Sequence, residues 1–138
     1  MTSTSTRPLQ VLVISGDSRM RRSIELTLRG AGMAIIGTDS LLAYLARWKD
    51  EARLLDAVVL EAGEADPATL GRLQILAAVP DLPQTLLVAG PDTLHLLDRV
   101  RERPEIEVLV EPFSAKRLVE AVKALAQDSV SSFPVAQP

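Results

Sequence analysis

Ser18, Asp92 and His95 are the residues of this 138-residue chain whose types and spacing could perform covalent catalysis. A serine hydroxyl attacks a carbonyl carbon when a histidine removes its proton and a carboxylate orients that histidine. Ser18 ends a Gly-Asp-Ser block that directly follows an apolar run, and Asp92 lies three positions before His95, the single histidine. If the fold brings these three side chains together, they would form an esterase site.

The block Gly16-Asp17-Ser18 resembles the opening block of the Gly-Asp-Ser hydrolases. That resemblance implies an asparagine side chain as oxyanion donor, and an Asp-x-x-His near the end of a longer chain. This chain contains no asparagine, and a further strand and helix are predicted after His95. We therefore expect Ser18 to cap a helix and His95 to be exposed on one, while the hydrolase with Ser18, Asp92 and His95 stays an alternative.

The composition is that of one globular domain. Hydrophobic residues make up 47% of the chain and charged residues 24%, which is typical of a packed domain. A formal net charge of -3 and the scarcity of aromatic residues, at 3%, argue against nucleic acid as a partner. Cysteine is absent, and no apolar run approaches the ~20 residues that cross a bilayer. We expect a cytoplasmic protein that needs no cofactor or metal and binds no membrane.

Five short runs rich in valine, isoleucine and leucine predict β-strands. They lie at residues 9–14, 33–36, 57–60, 86–89 and 106–110. The runs are nearly continuous rather than alternating in polarity, as in a parallel sheet that helices cover on both faces. Segments of helical length separate them. The sequence therefore predicts an α/β fold with a doubly wound, five-stranded parallel sheet of the flavodoxin-like type.

Capping residues predict where the helices begin and end. The first helix begins at Asp17 or Ser18 and ends at Gly30 or Gly32. The second begins near Asp39 and Ser40 and carries Leu41, Leu42, Leu45 and Trp48 with Tyr44 beside them. The others begin at Pro67, at Pro91 and after Ser114. The fourth helix is predicted over residues 93–103. We expect the domain to span residues 9–127, between a flexible leader at 1–8 and a disordered tail at 128–138.

Three motifs occur in the order and at the spacing of a known family. Ser18-Arg19-Met20-Arg21-Arg22 opens the first helix, Asp56-Ala57-Val58-Val59-Leu60-Glu61 covers the third strand, and Glu111-Pro112-Phe113 ends the fifth. With five strand-helix units over residues 9–126, the chain resembles the receiver domain of bacterial response regulators. The resemblance implies a phosphorylation site at the carboxyl edge of the sheet and a cis bond between Glu111 and Pro112.

The chain departs from the receiver pattern at each position that carries chemistry. In the family two acids hold Mg²⁺, an aspartate accepts the phosphoryl group, and a hydroxyl and a lysine respond to it. The matching residues here are Ser15 and Gly16 for the acid pair, Glu61 for the acceptor, Ala89 for the hydroxyl, Glu111 for the lysine and Val108 for the switching aromatic. Because Glu61 is one methylene longer than aspartate, its oxygens are displaced from the alignment that in-line attack requires.

We therefore interpret the chain as a degenerate, non-phosphorylatable pseudo-receiver that is not an enzyme and binds proteins in bacterial signalling or regulation. The alternatives are an orthodox receiver in which the displaced acids Asp17 and Glu61 hold Mg²⁺ weakly, a Glu61 that permanently mimics a phosphorylated aspartate, and drift after loss of function. Glu61 and Glu111 should share one crevice without an obvious cation between them, unless Arg19 or a neighbouring arginine folds over it. Repulsion between the two carboxylates should raise the pKa of at least one.

Receiver domains commonly present the fourth helix, the fifth strand and the fifth helix to partners, and that surface would cover residues 91–127 here. The resemblance implies a protein partner at this surface, or a homodimer. On the fourth helix, Leu94, Leu97 and Val100 are predicted to face inward and charged residues of both signs outward, and the candidate interface residues are Leu96, Arg99 and Arg103. An exposed Leu96 would anchor a partner, whereas a buried Leu96 would weaken the interface.

Overall fold

The computed structural model describes residues 7–51 and 54–131, with the side chains of residues 7–46 and 54–127. Five parallel strands form one sheet in the order β2-β1-β3-β4-β5. The strands are β1 (Gln10–Ile14), β2 (Ala34–Thr38), β3 (Ala57–Glu61), β4 (Thr85–Ala89) and β5 (Ile106–Val110). The helices are α1 (Ser18–Gly30), α2 (Leu41–Glu51), α3 (Pro67–Ala78), α4 (Asp98–Arg101) and α5 (Ala115–Ser131), with a 3-10 helix at Pro91–Leu96. The predicted doubly wound parallel sheet is confirmed.

Alternate residues of each central strand face two separate apolar clusters. On β1, Val11 and Val13 pack with α1 and α5, whereas Leu12 and Ile14 pack with α2, α3 and α4. Residues in register on neighbouring parallel strands share a face, as Val13 does with Val59 on β3. Helices therefore cover both faces of the sheet, which is why its central strands are apolar throughout.

Helix α1 begins and ends at residues with capping chemistry. Asp17 accepts hydrogen bonds from two backbone amides of the first turn at 2.9 and 3.1 Å, which satisfies N–H groups that have no partner inside the helix. At the other end Gly32 has a φ of 89°, and the amide of the next residue donates to the carbonyl oxygen of Leu28 at 3.2 Å, as in a Schellman cap. The starts predicted for α3 at Pro67 and for α5 after Ser114 are also confirmed.

The prediction of one continuous fourth helix is wrong. Residues 91–96 form the 3-10 helix, and α4 is a single turn. Leu94 and Leu96 both pack against the cluster that contains Leu97, although an α-helix would turn Leu94 and Leu96 to opposite sides. Three residues per turn bring Leu94 and Leu97 onto one side and leave Leu96 within reach of the core. Pro104 limits α4 at its other end, because the residue before a proline avoids the helical conformation.

Helix α2 faces the core with a different set of residues from the one predicted. Leu41 and Tyr44 are buried and Leu45 packs against the same cluster, whereas Leu42 is 66% exposed. The side chain of Trp48 lies outside the described residues. Positions three and four residues apart share one side of a helix, which places residues 41, 44 and 45 together on the buried side. Leu42 lies to one side of this group and is therefore exposed. Burial raises the pKa of the Tyr44 hydroxyl.

Described contacts and helical residues extend beyond residues 9–127, the range predicted for the domain. Arg7, assigned to the leader, donates to both carboxylate oxygens of Asp56 at 3.1 and 3.0 Å. Helix α5 continues past residue 127 to Ser131, since the sequence has no glycine or proline there before Pro134. The rest of the predicted leader and tail, residues 1–6 and 132–138, lies outside the described residues. Within the described part of the chain, no helix has the length and apolar character needed to cross a membrane.

Candidate functional site

A crevice of about 280 Å³ lies at the carboxyl ends of β1 and β3, where doubly wound sheets bind ligands. Ser15, Gly16 and Glu61 line it, so the structure places these three degenerate positions side by side. The acidic residues that line the crevice are Asp17, Asp39, Glu61 and Glu64. Arg72 on α3 is the cation among the lining residues. The crevice therefore has a negative charge balance.

The hydroxyl of Ser15 binds the carboxylate of Glu61. Ser15 is 1% exposed, and its Oγ donates to Oε1 of Glu61 at 2.9 Å. The carbonyl oxygen of Asp17 lies 3.1 Å from the same Oγ, but a single proton makes the stronger bond with the nearer, charged acceptor. Because Ser15 follows β1 and Glu61 ends β3, this bond joins two neighbouring strand ends and holds the Glu61 carboxylate toward β1.

The residues at this edge of the sheet offer a magnesium ion fewer free ligands than the receiver pattern implies. Mg²⁺ requires oxygen ligands in octahedral geometry, and proteins usually supply one or two carboxylates. Gly16 has no side chain, the Glu61 carboxylate accepts from Ser15, and the Asp17 carboxylate caps α1. Among residues 7–46 and 54–127, no group of three or more histidine, aspartate or glutamate side chains is arranged to hold a metal ion.

The end of β4 presents no hydroxyl to the crevice. Ala89 is buried, and its carbonyl oxygen accepts from the amide of Glu111 at 2.9 Å. Thr93 follows in the 3-10 helix, but its hydroxyl donates to the carbonyl oxygen of Gly90 at 3.0 Å. Thr93 is therefore engaged with the backbone and does not replace the hydroxyl that Ala89 lacks.

Glu111 follows β5 and is joined to Pro112 by a cis peptide bond, as the receiver resemblance implies. Burial raises the pKa of Glu111, and the negative charges of Glu61 and Asp17 raise it further. This agrees with the expectation that repulsion between Glu61 and Glu111 raises the pKa of at least one of them. A lysine at this position would attract an anion, whereas an ionised Glu111 repels one.

Arg72 is the basic residue of the crevice that sequence reasoning missed. Its Nη2 donates to the carbonyl oxygen of Ala62 at 3.0 Å and to the hydroxyl of Thr69 at 2.9 Å. These bonds hold the loop between β3 and α3, in which Gly63 has a φ of 95° and a Cβ would lie 2.6 Å from Nη2. Arg72 is the single charged residue of α3. A lone charge in an otherwise uncharged helix is the feature of the sequence that could have pointed to it.

Helix α1 also brings an arginine to this edge, but it is Arg21 rather than Arg19. Nη1 of Arg21 donates to the carbonyl oxygen of Ser15 at 2.8 Å, whereas Arg19 is exposed. Arg21 therefore supports the loop after β1 by binding a backbone carbonyl group of that loop. The Glu61 carboxylate is bound by the Ser15 hydroxyl instead.

The three residues of the hydrolase alternative do not form a triad. Ser18 is the first residue of α1, which packs on one face of the sheet. Asp92 and His95 belong to the 3-10 helix, whose leucines pack on the opposite face. His95 is exposed and lines a groove beside α3. In these positions the serine and histidine do not make the hydrogen-bonded pair that nucleophilic catalysis requires.

Of the three candidate interface residues, Arg99 is exposed, whereas Leu96 is half-buried against the apolar cluster. Nη1 of Arg103 donates to the carbonyl oxygen of Ala77 at 3.1 Å and to those of two neighbouring residues. Arg103 also pairs with Glu105 at 3.2 Å. The predicted outward orientation of Arg103 is therefore wrong, because the free carbonyl groups at the end of α3 bind its guanidinium.

Comparison with known proteins identifies the fold. No protein-family model and no curated protein matches the chain. A response regulator receiver domain protein from Clostridium thermocellum is similar over 91% of this chain and 99% of its own, with a TM-score of 0.74 and 17% identity. The chain has the receiver fold. A CheY-like receiver domain protein from Methanospirillum hungatei gives a TM-score of 0.73 at 13% identity, over 92% of this chain and 100% of its own.

A third similar structure is the signal receiver domain of an HD domain-containing protein from Pseudomonas fluorescens, with a TM-score of 0.71 and 19% identity over 94% of this chain and 95% of its own. The receiver fold places the crevice at the edge where the sequence resemblance implies phosphorylation chemistry. The backbone at this edge matches that expectation, including the capped α1 and the cis peptide bond. The side chains there are Ser15, Glu61, Ala89 and Glu111.

Proposed function

We propose that this chain is a receiver-like module of bacterial signalling or regulation, located in the cytoplasm, that acts by binding protein partners and is not phosphorylated. The single observation that carries the proposal is the electrostatics of the crevice. The carboxylate of Glu61 is bound by Ser15, and Glu111 has a raised pKa where the resemblance implies a lysine.

The charge distribution of the crevice opposes phosphoryl transfer. The transferred group develops negative charge that a metal ion and a cationic side chain must neutralise. Here an incoming phosphoryl group meets the carboxylates of Asp17 and Glu61, which line the crevice, with Glu111 near both of them. The Arg72 guanidinium already donates to Ala62 and Thr69. The crevice would therefore repel the anion that an active receiver binds.

The two alternatives for Glu61 have less support. An orthodox receiver would need Asp17 and Glu61 as metal ligands, but Asp17 caps α1 and Glu61 accepts from Ser15. A permanent mimic of phosphoaspartate would act on a lysine and a hydroxyl, and those positions hold Glu111 and Ala89. We therefore assign Glu61 a structural role between β1 and β3.

Amide NMR spectra recorded with Mg²⁺ and beryllofluoride test the proposal. We expect the spectrum of the natural chain to remain unchanged. The matched control restores the family pattern with five substitutions, Ser15→Asp, Gly16→Asp, Glu61→Asp, Ala89→Thr and Glu111→Lys. In that variant we expect shifts centred on residue 61, because a metal site, an acceptor and both responding groups are present again.

Shifts around Glu61 in the natural chain would refute the proposal. So would a mass increase of one phosphoryl group after incubation with acetyl phosphate and Mg²⁺, if fragmentation located it on Glu61. The mass measurement is independent of NMR and distinguishes a covalent acyl phosphate from ions that associate weakly with the surface.

The surface formed by α4, β5 and α5 is our candidate for the protein partner. Its exposed charged residues include Arg99 and Glu107, which are of opposite sign, and the apolar Val110 is 39% exposed. Such mixed charge favours a salt-sensitive interface with a complementary protein. Because Leu96 is half-buried and Arg103 is bound to α3, the surface has fewer anchors than predicted for a homodimer.

A pull-down from the native organism tests this surface. We expect an Arg99→Glu variant, which leaves the half-buried Leu96 in place, to lose the partner that the natural chain retains. The control is an Arg22→Glu variant, which makes the same change of charge at an exposed position of α1. Equal retention by both variants would exclude this surface as the binding site.

A further inference from the structure

Helices α1 and α5 carry much of the positive charge of this chain. Four arginines lie on α1, and two lysines and Arg117 lie on α5. The two helices contain seven of the 15 basic residues but three of the 18 acidic residues, which are Glu25, Glu120 and Asp128. Because the whole chain has a formal net charge of -3, the rest of the chain has a net negative charge. Charge is therefore segregated between these helices and the other elements.

Exposed basic residues form a stripe along each of the two helices. On α1 the exposed residues of the stripe are Arg19, Arg22, Leu26 and Arg29. Successive members of this set are three or four residues apart, so they share one side of the helix. On α5, the exposed Lys116 and Lys123 are about two turns apart and also share one side. Both helices pack on the same apolar cluster, so the two stripes lie on one face of the domain.

An apolar groove of about 420 Å³ lies between the two stripes. Leu26 and Ala31 line it from α1, and Ala115 and Val119 line it from α5. Leu26 is 54% exposed. Among the described side chains of α1 and α5, it is the one large apolar residue that is exposed to this degree. The groove therefore offers apolar contact at the centre of a basic face.

The acidic residues near this face leave its charge balance positive. The carboxylate of Asp17 caps α1. The side chain of Glu25 is 16% exposed, pairs with two arginines of α1 at 3.8 and 3.9 Å, and lies against the edge strand β2. Glu120 is the acid that lines the groove, and Lys116 and Lys123 lie within one helical turn of it on either side.

We propose that the groove between α1 and α5 binds an acidic amphipathic helix of a partner protein. The apolar side of such a helix would cover Leu26 and Val119, and its acidic flanks would pair with the two basic stripes. The site adds a second partner surface to the proposed function. It uses the side of α5 next to α1 and depends neither on Arg99 nor on the state of Glu61.

The chemistry of this face favours that occupant over three others. A nucleic acid would bring its phosphates to the basic stripes but has no apolar side to cover the groove. Binding in a bilayer surface requires an apolar face with several large side chains, whereas this face has Leu26 alone. Two copies of the face would repel each other, because both are basic.

A designed peptide tests the site without knowledge of the natural partner. The probe is a fluorescein-labelled helix about 18 residues long, with leucines on one side and glutamates on both flanks. Its control carries glutamine in place of every glutamate. Fluorescence anisotropy with the full chain should show that the acidic peptide binds at least about tenfold more tightly than its control at low salt, and the advantage should shrink in high salt.

Substitutions in the chain locate the peptide. Arg19→Glu and Lys123→Glu remove positive charge from the two stripes, and Leu26→Gln removes apolar contact without changing charge. Each should raise the Kd of the acidic peptide about tenfold. The matched controls are Arg99→Glu on α4 and Leu42→Gln on α2, both at exposed positions, and they should leave the Kd unchanged.

Three results would overturn the proposal. The first is equal binding of the acidic peptide and its glutamine control. The second is a Kd that the three substitutions in the face leave unchanged. The third is tighter binding of a mixed-sequence DNA duplex, or of vesicles that contain phosphatidylserine, than of the peptide. A partner lost by Arg99→Glu but kept by Arg19→Glu would belong to the surface of α4, β5 and α5, so the two partner surfaces are tested separately.

Discussion

The Oγ of Ser15 donates a hydrogen bond of 2.9 Å to Oε1 of Glu61, across the gap between the ends of β1 and β3. The same Oγ accepts from the amide of Asp17 at 3.1 Å. Ser15 thus links the loop before α1 to the Glu61 carboxylate, which lines the crevice. Its hydroxyl occupies the edge of the sheet where the resemblance implies a carboxylate.

Replacing Ser15 by alanine should destabilise the domain. Ser15 is buried, and Ser15→Ala removes the partner of a carboxylate and the acceptor of the Asp17 amide. We expect the free energy of unfolding to fall by about 1–2 kcal/mol, as for hydrogen bonds to charged groups. Urea unfolding measures the change. Ser18→Ala, at an exposed position, serves as the control and should change the stability little, so equal effects of the two substitutions would contradict the role of Ser15.

The substitution Glu111→Gln should stabilise the domain at neutral pH. The raised pKa of Glu111 means that the folded protein holds this proton at pH values where the unfolded chain has released it. The stability of the natural chain therefore falls as the pH rises from the unfolded to the folded pKa, and the loss is complete above both. Glutamine is uncharged and removes that loss. Urea unfolding at a series of pH values should show an advantage of Glu111→Gln at pH 7 that disappears in acid.

The control for Glu111 is Glu107→Gln on the exposed side of β5. We expect its stability relative to the natural chain to vary less with pH, because water screens an exposed charge.

The substitution Glu61→Gln should lower the pKa of Glu111 in a carboxylate NMR titration, because it removes a neighbouring negative charge. An unchanged titration of Glu111 would contradict the proposed repulsion.

Arg103 should be important for stability rather than for binding. Arg103→Ala leaves the carbonyl groups at the end of α3 without their donor and removes the partner of Glu105. We expect a loss of about 2–4 kcal/mol in the free energy of unfolding. The control is Arg101→Ala at an exposed position, expected to be within roughly 0.5 kcal/mol of the natural chain. Similar losses of stability for both variants would argue against a stabilising role of Arg103 at the end of α3.

The contribution of Arg103 should also depend on pH. Its hydrogen bond to Glu105 lowers the pKa of that carboxyl group. This stabilisation is present above the unfolded pKa of Glu105 and is lost as the pH falls through the folded pKa. Unfolding experiments should therefore show that the difference in the free energy of unfolding between Arg103→Ala and the natural chain becomes smaller in acid. A difference that becomes larger in acid would contradict this coupling.

The pair of Arg7 and Asp56 should contribute to stability at the start of the domain. Arg7→Ala removes two hydrogen bonds to Asp56, which retains the amide of Gln10 as a donor at 2.7 Å. Because the Arg7 side chain is 62% exposed, we expect a loss of about 1 kcal/mol, reduced in high salt. Arg22→Ala is the control. Thermal unfolding at low and high salt measures both, and a salt-independent effect of Arg7→Ala would contradict an ion-pair contribution.

Local chemistry made much of the fold predictable. The five strands were recognised because a sheet covered on both faces requires apolar residues at successive positions. The starts of α1 and α3 were recognised because Asp17 and Pro67 act on backbone groups within a few residues of themselves. The position of Glu61 at the carboxyl edge follows from the same strands.

Other features were decided by contacts between residues distant in the sequence. The 3-10 helix replaced the predicted fourth helix because Leu94 and Leu96 both pack on a core formed by other elements. Arg103 binds α3 because the fold brings its guanidinium next to the free carbonyl groups at the end of that helix. Arg72 reaches the crevice because α3 begins close to the end of β3, which borders the crevice.

The sequence by itself therefore determined the order of the elements, most of the capping residues and the identity of the side chains at the sheet edge, since each depends on residue type or short-range spacing. The tertiary structure decided which polar and charged groups meet: Ser15 with Glu61, Arg103 with the end of α3, and Glu111 with the carboxylates of Glu61 and Asp17. Hydrogen bonds and pKa shifts depend on distances of a few ångströms between atoms, and those distances are fixed when the helices pack against the sheet.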